Sequence, residues 1–447
     1  MKRSAILAVL LVSLAACKVA TKDNQMMSTQ MEDEVMQPAI NSIATDYVKL
    51  VLEVGQFDSD VVDAYYGPED LKPAELEKGS DFPAASLKAK AQLLTKQLSA
   101  LPTDALSKEQ QVRLTMLKKL LIAIETKITM LDGQEYVFEE EAKLLYDTVP
   151  PKFPLSHFDS LLAQLDTLVP GEGNLSERYT EFTSQFVIPK DKIDIVFRTA
   201  IAEARKRTLS KISLPEHENF VLEYVTDKAW SGYNYYQGNG QSLIQINTDF
   251  PIYITRAIDL AAHEGYPGHH VFNALLEQKL VNKNKWVEYS IYHLFSPQSL
   301  IAEGSANYGI DVAFPGESRL QYEKQVLFPL AGLDASKADL YYQVLDLVSE
   351  LSYAGNEAAR QYLNGDISRE EAAEIMVKYQ LYSPEKALQR TRFVDKYRSY
   401  VINYNLGKDL VAEYVESNGG TADHPDKRWQ VFEELLSTPK TASMLEN

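Results

Sequence analysis

Residues 263–270 read His-Glu-Gly-Tyr-Pro-Gly-His-His, and no regular element accommodates them. On a continuous helix His263 and His269 would lie about 120° apart around the axis. His263 and His270 would share a face but sit about 10 Å apart along it. Pro267 would also clash with the carbonyl of residue 263. The chain therefore has to break or bulge around Tyr266-Pro267-Gly268, and Pro and Gly are the residues that permit such a break. Three of the seven histidines fall inside these eight positions, a density that random placement would rarely produce.

A helical His-Glu-x-x-His motif sets two imidazoles one turn apart for zinc, with the Glu between them as general base. Here the spacing is six or seven, so the cluster can bind metal only if the helix breaks. The competing reading is a Pro-Gly turn carrying surface histidines. The only cysteine is Cys17, which excludes an intramolecular disulfide and a thiolate metal cluster. Any metal must then be held by His and carboxylate. A third ligand is expected from a neighbouring helix, and Glu303 in Ala302-Glu303-Gly304-Ser305-Ala306-Asn307-Tyr308 is the candidate.

Acidic residues outnumber basic ones by 63 to 45, for a formal charge of −18, which argues against nucleic acid as a partner. The 45% hydrophobic content is that of a globular chain. At the amino end, Lys2 and Arg3 precede an apolar run from Ala5 to Leu14, closed by Leu14-Ala15-Ala16-Cys17. The run is too short to span a bilayer and fits a cleaved secretory segment. Its end resembles the lipobox of bacterial lipoproteins. That resemblance implies cleavage before Cys17 and lipidation there. Lys18 in place of Asp implies retention at the outer membrane, facing the periplasm.

Residues 1–16 are thus expected as a signal peptide and 17–39 as a lipid-anchored tether. Residues 40–211 read as a helical region and 212–447 as the catalytic region, the two forming one compact unit. Ser107-Lys108-Glu109-Gln110 has the capping-box pattern and opens a helix to about Met130, with Leu114, Leu117, Leu120, Leu121 and Ile124 at helical spacing. Breaks are expected at Pro150, Pro151 and Pro154 and at Pro170–Gly173. Trp230–Gly240 reads as an aromatic loop, and Ser242–Phe250 alternates like a half-exposed strand. Its part Ser242–Thr248 is a candidate edge for pairing with an extended peptide. Pro251 is expected to open the next helix. Helical patterns then continue from Ala257 to about Leu436.

The Glu-Gly-x-Ala-x-Tyr pattern at Glu303 resembles the segment that supplies the third zinc ligand in several gluzincin aminopeptidases, although the 40-residue gap from His263 is longer than in many of them. His-Glu-x-x-Pro-Gly-His-His, the downstream Glu-Gly-x-Ala and the upstream Asn247-Thr248 together resemble a bacterial lipoprotein family built on a domain of unknown function. That family is placed near the zincin-like metallopeptidases. The resemblance covers roughly residues 40–420. Arg392-Phe393 and Asn403-Tyr404-Asn405-Leu406-Gly407 look like its C-terminal motifs, but the usual Pro-Gly-Gln before that Tyr is absent.

The resemblance implies a mainly α, zincin-like fold with a small β-sheet beside the active-site helix. It implies one zinc ion held by His263, His269 and Glu303, with His270 as the alternative ligand or a supporting residue. Glu264 would be the general base, and Tyr404 or Arg392 would stabilise the oxyanion. The expected function is zinc-dependent hydrolysis of peptide or other amide bonds in the bacterial envelope. The alternative is a non-catalytic metal-binding or envelope-interaction lipoprotein, which the unusual His spacing favours. His293 reads as a satisfied core histidine.

Overall fold

A computed structural model describes residues 31–77, 79–228 and 230–446. The signal segment 1–16, Cys17 and the first part of the tether lie outside the described residues. The chain is mainly α-helical, with two small sheets. Among the described residues no helix is long and apolar enough to cross a membrane.

The first helix occupies residues 31–55. It buries Ile40, Ala44, Tyr47, Val48, Val51 and Val54, which recur every three or four positions and form one apolar stripe. Residues 31–39, expected within the tether, are the first turns of this helix. Asp33 is held there by accepting a hydrogen bond from the Ser107 amide at 3.0 Å. Ser107 also caps the helix Lys108–Leu131, its hydroxyl accepting from the Gln110 amide. All five predicted apolar positions of that helix are buried.

Strand β1 (Val62–Tyr65) lies far from its partner in sequence. It pairs antiparallel with a strand at Ile291–His293. A second tie joins the same parts of the chain. Arg113 places its guanidinium on both oxygens of Glu288, at 2.6 and 3.0 Å, with both side chains fully buried. Trp286 stacks beneath it, with the guanidinium carbon 4.9 Å from the ring centre.

The larger sheet holds β2 (Asn219–Val225), β3 (Gly232–Gly238) and β4 (Gln241–Asn247) in the order β2-β4-β3. Two expectations change here. Trp230–Gly240 is mostly strand and not loop, because Gly232–Gly238 pairs antiparallel with β4. The hairpin turns at Asn239 and Gly240, both with positive φ, as a tight two-residue turn requires. The alternation of Ser242–Phe250 is real, but β4 is central. Both its edges are already paired, so it cannot add a peptide strand. Numbering the short Ile291–His293 strand β5 completes the set.

The helix expected from Pro251 begins at Thr255. Residues 252–254 instead pair with the chain near Phe186, through Ile188 N to Ile252 O and Ile254 N to Phe186 O, both 2.8 Å. That bridge, centred on Tyr253, engages these residues before the helix starts.

Candidate metal centre

The helix Thr255–Leu260 does not continue regularly into the His-Glu motif. Residues Ala261–Gly265 form a π-turn, and the Tyr266 amide reaches back to the Ala261 carbonyl at 3.0 Å. The Gly268 amide bonds the Ala262 carbonyl at 2.9 Å, across a cis Tyr266–Pro267 peptide. A Cβ on Gly268 would lie 1.9 Å from the His263 carbonyl oxygen, so no side chain fits there. A new helix then starts at His269. This reversal does what a continuous helix cannot. It brings the Nε2 atoms of His263 and His269 to 3.2 Å of each other.

Glu303 completes the group from the helix Pro297–Ala313. Its Oε2 lies 3.3 Å from His263 Nε2 and 3.8 Å from His269 Nε2. That oxygen is buried and has no hydrogen-bond partner. Its other oxygen accepts from the Tyr400 hydroxyl at 2.7 Å. Four-coordinate zinc with bonds of about 2.1 Å holds its ligand atoms about 3.4 Å apart. The three separations fit such an ion, and the unpaired carboxylate oxygen supplies a lone pair for it.

The imidazoles are oriented from behind. His263 Nδ1 lies 3.0 Å from Asn307 Oδ1, one helical turn beyond Glu303 on the same face. The Asn307 amide nitrogen donates to the Tyr404 carbonyl at 2.8 Å, which assigns the amide orientation. Asn307 Oδ1 can then only accept, so His263 carries a proton on Nδ1, the arrangement that leaves Nε2 as the nitrogen available to an ion. The approach of Tyr404 depends on two glycines. A Cβ on Gly304 would lie 2.3 Å from the Gly407 backbone, and a Cβ on Gly407 would lie 2.7 Å from the Leu300 carbonyl. Only glycines let the Glu303 helix and the helix Leu406–Ser417 cross this closely.

Charge in the site is unbalanced towards negative. Burial alone would raise the Glu303 carboxyl, but the facing imidazoles of His263 and His269 outweigh it and hold it below the usual carboxylate range. Burial alone would lower His269, but Glu303, then Glu264 and Asp63, raise it to about 9. Glu264 is 4% exposed, next to His263 on the π-turn. Its backbone carbonyl accepts from Asn234 Nδ2 at 2.6 Å. A Cβ on Gly232 would sit 2.8 Å from Glu264 Oε1, so β3 leaves its glycine where that carboxylate needs room.

His270 is not brought to this group. Its Nδ1 meets the Ser242 hydroxyl at 2.8 Å and its Nε2 meets Glu218 at 2.9 Å, all three residues being buried. Arg205 and Tyr266 bind the same Glu218. Both ring nitrogens of His270 are engaged away from the site. Arg392 is also not brought in. It is exposed on the helix Pro384–Tyr397, whose buried positions are Ala387, Thr391 and Val394, with Arg390, Phe393 and Tyr397 half-buried beside them. Arg390 is the guanidinium near Tyr404, 5.9 Å from its ring centre. Tyr404 is half-buried, with burial and the charge of Glu303 pushing its hydroxyl well above its ordinary pKa. His293 is fully buried in β5, its Nδ1 3.3 Å from the Tyr47 hydroxyl and its Nε2 without a partner.

Asn307, Tyr400 and Asp63 are the site residues that sequence reasoning did not find. Asn307 lies four residues after Glu303, and that helical spacing, which puts both on one face, is the signal that could have found it. Nothing local marks Tyr400 or Asp63.

No family model matches the chain, and no curated protein matches it. Similarity is found among solved structures. A candidate lipoprotein from Colwellia psychrerythraea matches with a TM-score of 0.50 at 14% identity, over 80% of this chain and 65% of that one. A candidate lipoprotein of unknown function from Shewanella oneidensis gives 0.43 at 12%, over 81% and 74%. An M32 carboxypeptidase from Deinococcus radiodurans R1 gives 0.35 at 12%, over 93% and 97%. This chain therefore spans less than two thirds of the Colwellia protein, and what it shares with that protein is a fold.

Proposed function

We propose that this protein is a metal-dependent hydrolase of peptide or related amide bonds. One observation carries the reading. The buried Glu303 Oε2 has no hydrogen-bond partner, and it faces two imidazole Nε2 atoms at separations suited to a single ion. His263, His269 and Glu303 are the proposed ligands, and zinc fits a set of two imidazoles and one carboxylate with a fourth position left open. Zinc in such a site lowers the pKa of water towards neutrality and polarises a carbonyl.

Glu264 is the proposed general base. It accepts the proton as the hydroxyl of water adds to the carbonyl carbon. It returns that proton to the nitrogen as the C–N bond breaks. The Tyr404 hydroxyl, kept protonated by its burial, is the proposed donor to the oxyanion. Arg392 has no part in this proposal because it faces solvent. If an extended peptide adds to the sheet, the edge that leads to Glu264 through Gly232 is β3 and not β4.

The Leu-Ala-Ala-Cys17 segment supports lipid anchoring in the cell envelope, with outer-membrane retention from Lys18. The fold shared with a candidate lipoprotein supports the same reading. The irregular His spacing that favoured a non-catalytic protein loses its force, because the π-turn and Pro267-Gly268 reconcile it with a three-residue group.

The test is metal analysis of purified protein, followed by hydrolysis assays on peptide mixtures. Glu264→Gln is expected to keep the metal and lose hydrolysis. Full activity in that variant, or no metal and no rise in melting temperature with added zinc, overturns the reading.

A further inference from the structure

One carboxylate beside the centre is used neither by the proposed ligand set nor by proton transfer. Asp63 comes from β1, about 200 residues before the His-Glu motif. It falls where the β1–β5 register shifts between Val62 and Ala64. Such a bulge turns a side chain off the ladder and is common beside active sites. Here it turns Asp63 towards the Tyr233 hydroxyl, which donates to it, and within electrostatic reach of His269, Glu303 and Glu264. Tyr233 is packed against Tyr235, with ring centres 4.2 Å apart, and against Trp230 at 5.4 Å. The acid is thus backed by a half-buried aromatic wall.

No Lys or Arg pairs with Asp63 among the described residues. Tyr292, opposite Ala64 in the β5 register, is only 8% exposed. Its hydroxyl lies beside Ser299 and Tyr400, and it feels the charges of Asp63 and Glu303. An acid against aromatic faces is suited to an ammonium ion, through a charge-assisted hydrogen bond and cation–π attraction together.

We propose that Asp63, with Tyr233, Tyr235 and Tyr292, forms a subsite for a substrate ammonium group next to the scissile amide. The inference rests on the hydrolase reading and adds a substrate class to it. That ammonium is either the free amino terminus of a peptide or a basic side chain.

Calorimetric binding to the zinc-loaded Glu264→Gln protein tests it without depending on turnover. The probes are alanyl-alanine amide, its N-acetyl form, and N-acetyl-lysyl-alanine amide. At least one amine probe is expected to bind about tenfold or more tighter than the N-acetyl form. Adding Asp63→Asn is expected to remove that preference, and Tyr233→Phe to weaken it, with melting temperatures verifying the fold. Whether the free terminus or the lysyl probe is preferred identifies the source of the ammonium. No preference in the parent, or one that survives Asp63→Asn, overturns the inference. Amine selectivity without hydrolysis by the wild type would instead overturn the hydrolase reading and leave the subsite standing.

Discussion

Asn307 Oδ1 lies 3.0 Å from His263 Nδ1, and it is held in that orientation because the other end of the same amide donates to the Tyr404 carbonyl. One side chain thus couples the His-Glu segment, the Glu303 helix and the start of the helix Leu406–Ser417. The proton on His263 Nδ1 has a fixed acceptor, and Nε2 faces Glu303.

Asn307→Ala is therefore expected to weaken zinc binding by about 10–100-fold while leaving the protein folded, since partners behind metal ligands have effects of this size. Competition with a chromophoric chelator measures it. An unchanged affinity would mean that Asn307 does not orient His263.

Gly268→Ala should be among the most damaging single changes. The added methyl would press on the His263 carbonyl oxygen at 1.9 Å, where the contact is backbone and cannot rotate away. Overpacking of this kind costs up to about 3 kcal/mol, and the two imidazoles would separate as well. Urea unfolding measures the first effect and zinc titration the second. A variant as stable as the wild type would show that the reversal is looser than described.

The buried Arg113–Glu288 pair predicts an asymmetry. Arg113→Met leaves a fully buried carboxylate uncompensated and should cost about 3–5 kcal/mol, whereas replacing both partners by apolar residues should recover much of the loss. Equal losses in the single and double variants would argue against this view.

His293 predicts a pH dependence. Burial, and then the charge of Lys127, pull its pKa from an ordinary 6.5 down to about 3. Between those values the unfolded chain binds the proton and the folded chain does not. Stability should be complete above about pH 6.5 and fall as pH drops towards 3, by about 1.4 kcal/mol per unit from this residue. Carboxylates titrate over part of the same range, so the informative quantity is a difference. His293→Gln should show a shallower fall than the wild type, and parallel curves would refute the assignment.

Arg392→Ala is expected to change stability by less than about 0.5 kcal/mol and to leave zinc affinity unchanged, as exposed positions usually do. Arg390→Ala, which removes the guanidinium near Tyr404, is the informative comparison.

Much of the architecture could be read locally. The apolar stripe of Lys108–Leu131, its Ser107 cap and the capping box of Ser368 with Glu371 all follow from periodicities within a few residues. The β3 strand escaped that reading because both its faces carry large or polar groups. Asn234 and Tyr236 turn inward while Tyr233 and Tyr235 turn towards Asp63, so the usual alternation is hidden.

The sequence by itself determined which donor atoms exist. It holds one cysteine, at position 17, and one dense cluster of His and Glu, interrupted where Pro267 and Gly268 forbid a helix. It did not determine which imidazole turns towards Glu303. His269 and His270 are adjacent, and their spacings from His263 are equally irregular. The tertiary structure decided this through Glu218, which lies about 50 residues upstream and engages His270 from the far side. The same holds for Asp63, Tyr400 and Arg390, each delivered by an element remote in the chain. Local patterns record which face of an element is apolar, because that depends on neighbours a few residues away. Which groups meet across two elements depends on how those elements pack, and here that packing rests on close contacts such as the one between Gly304 and Gly407.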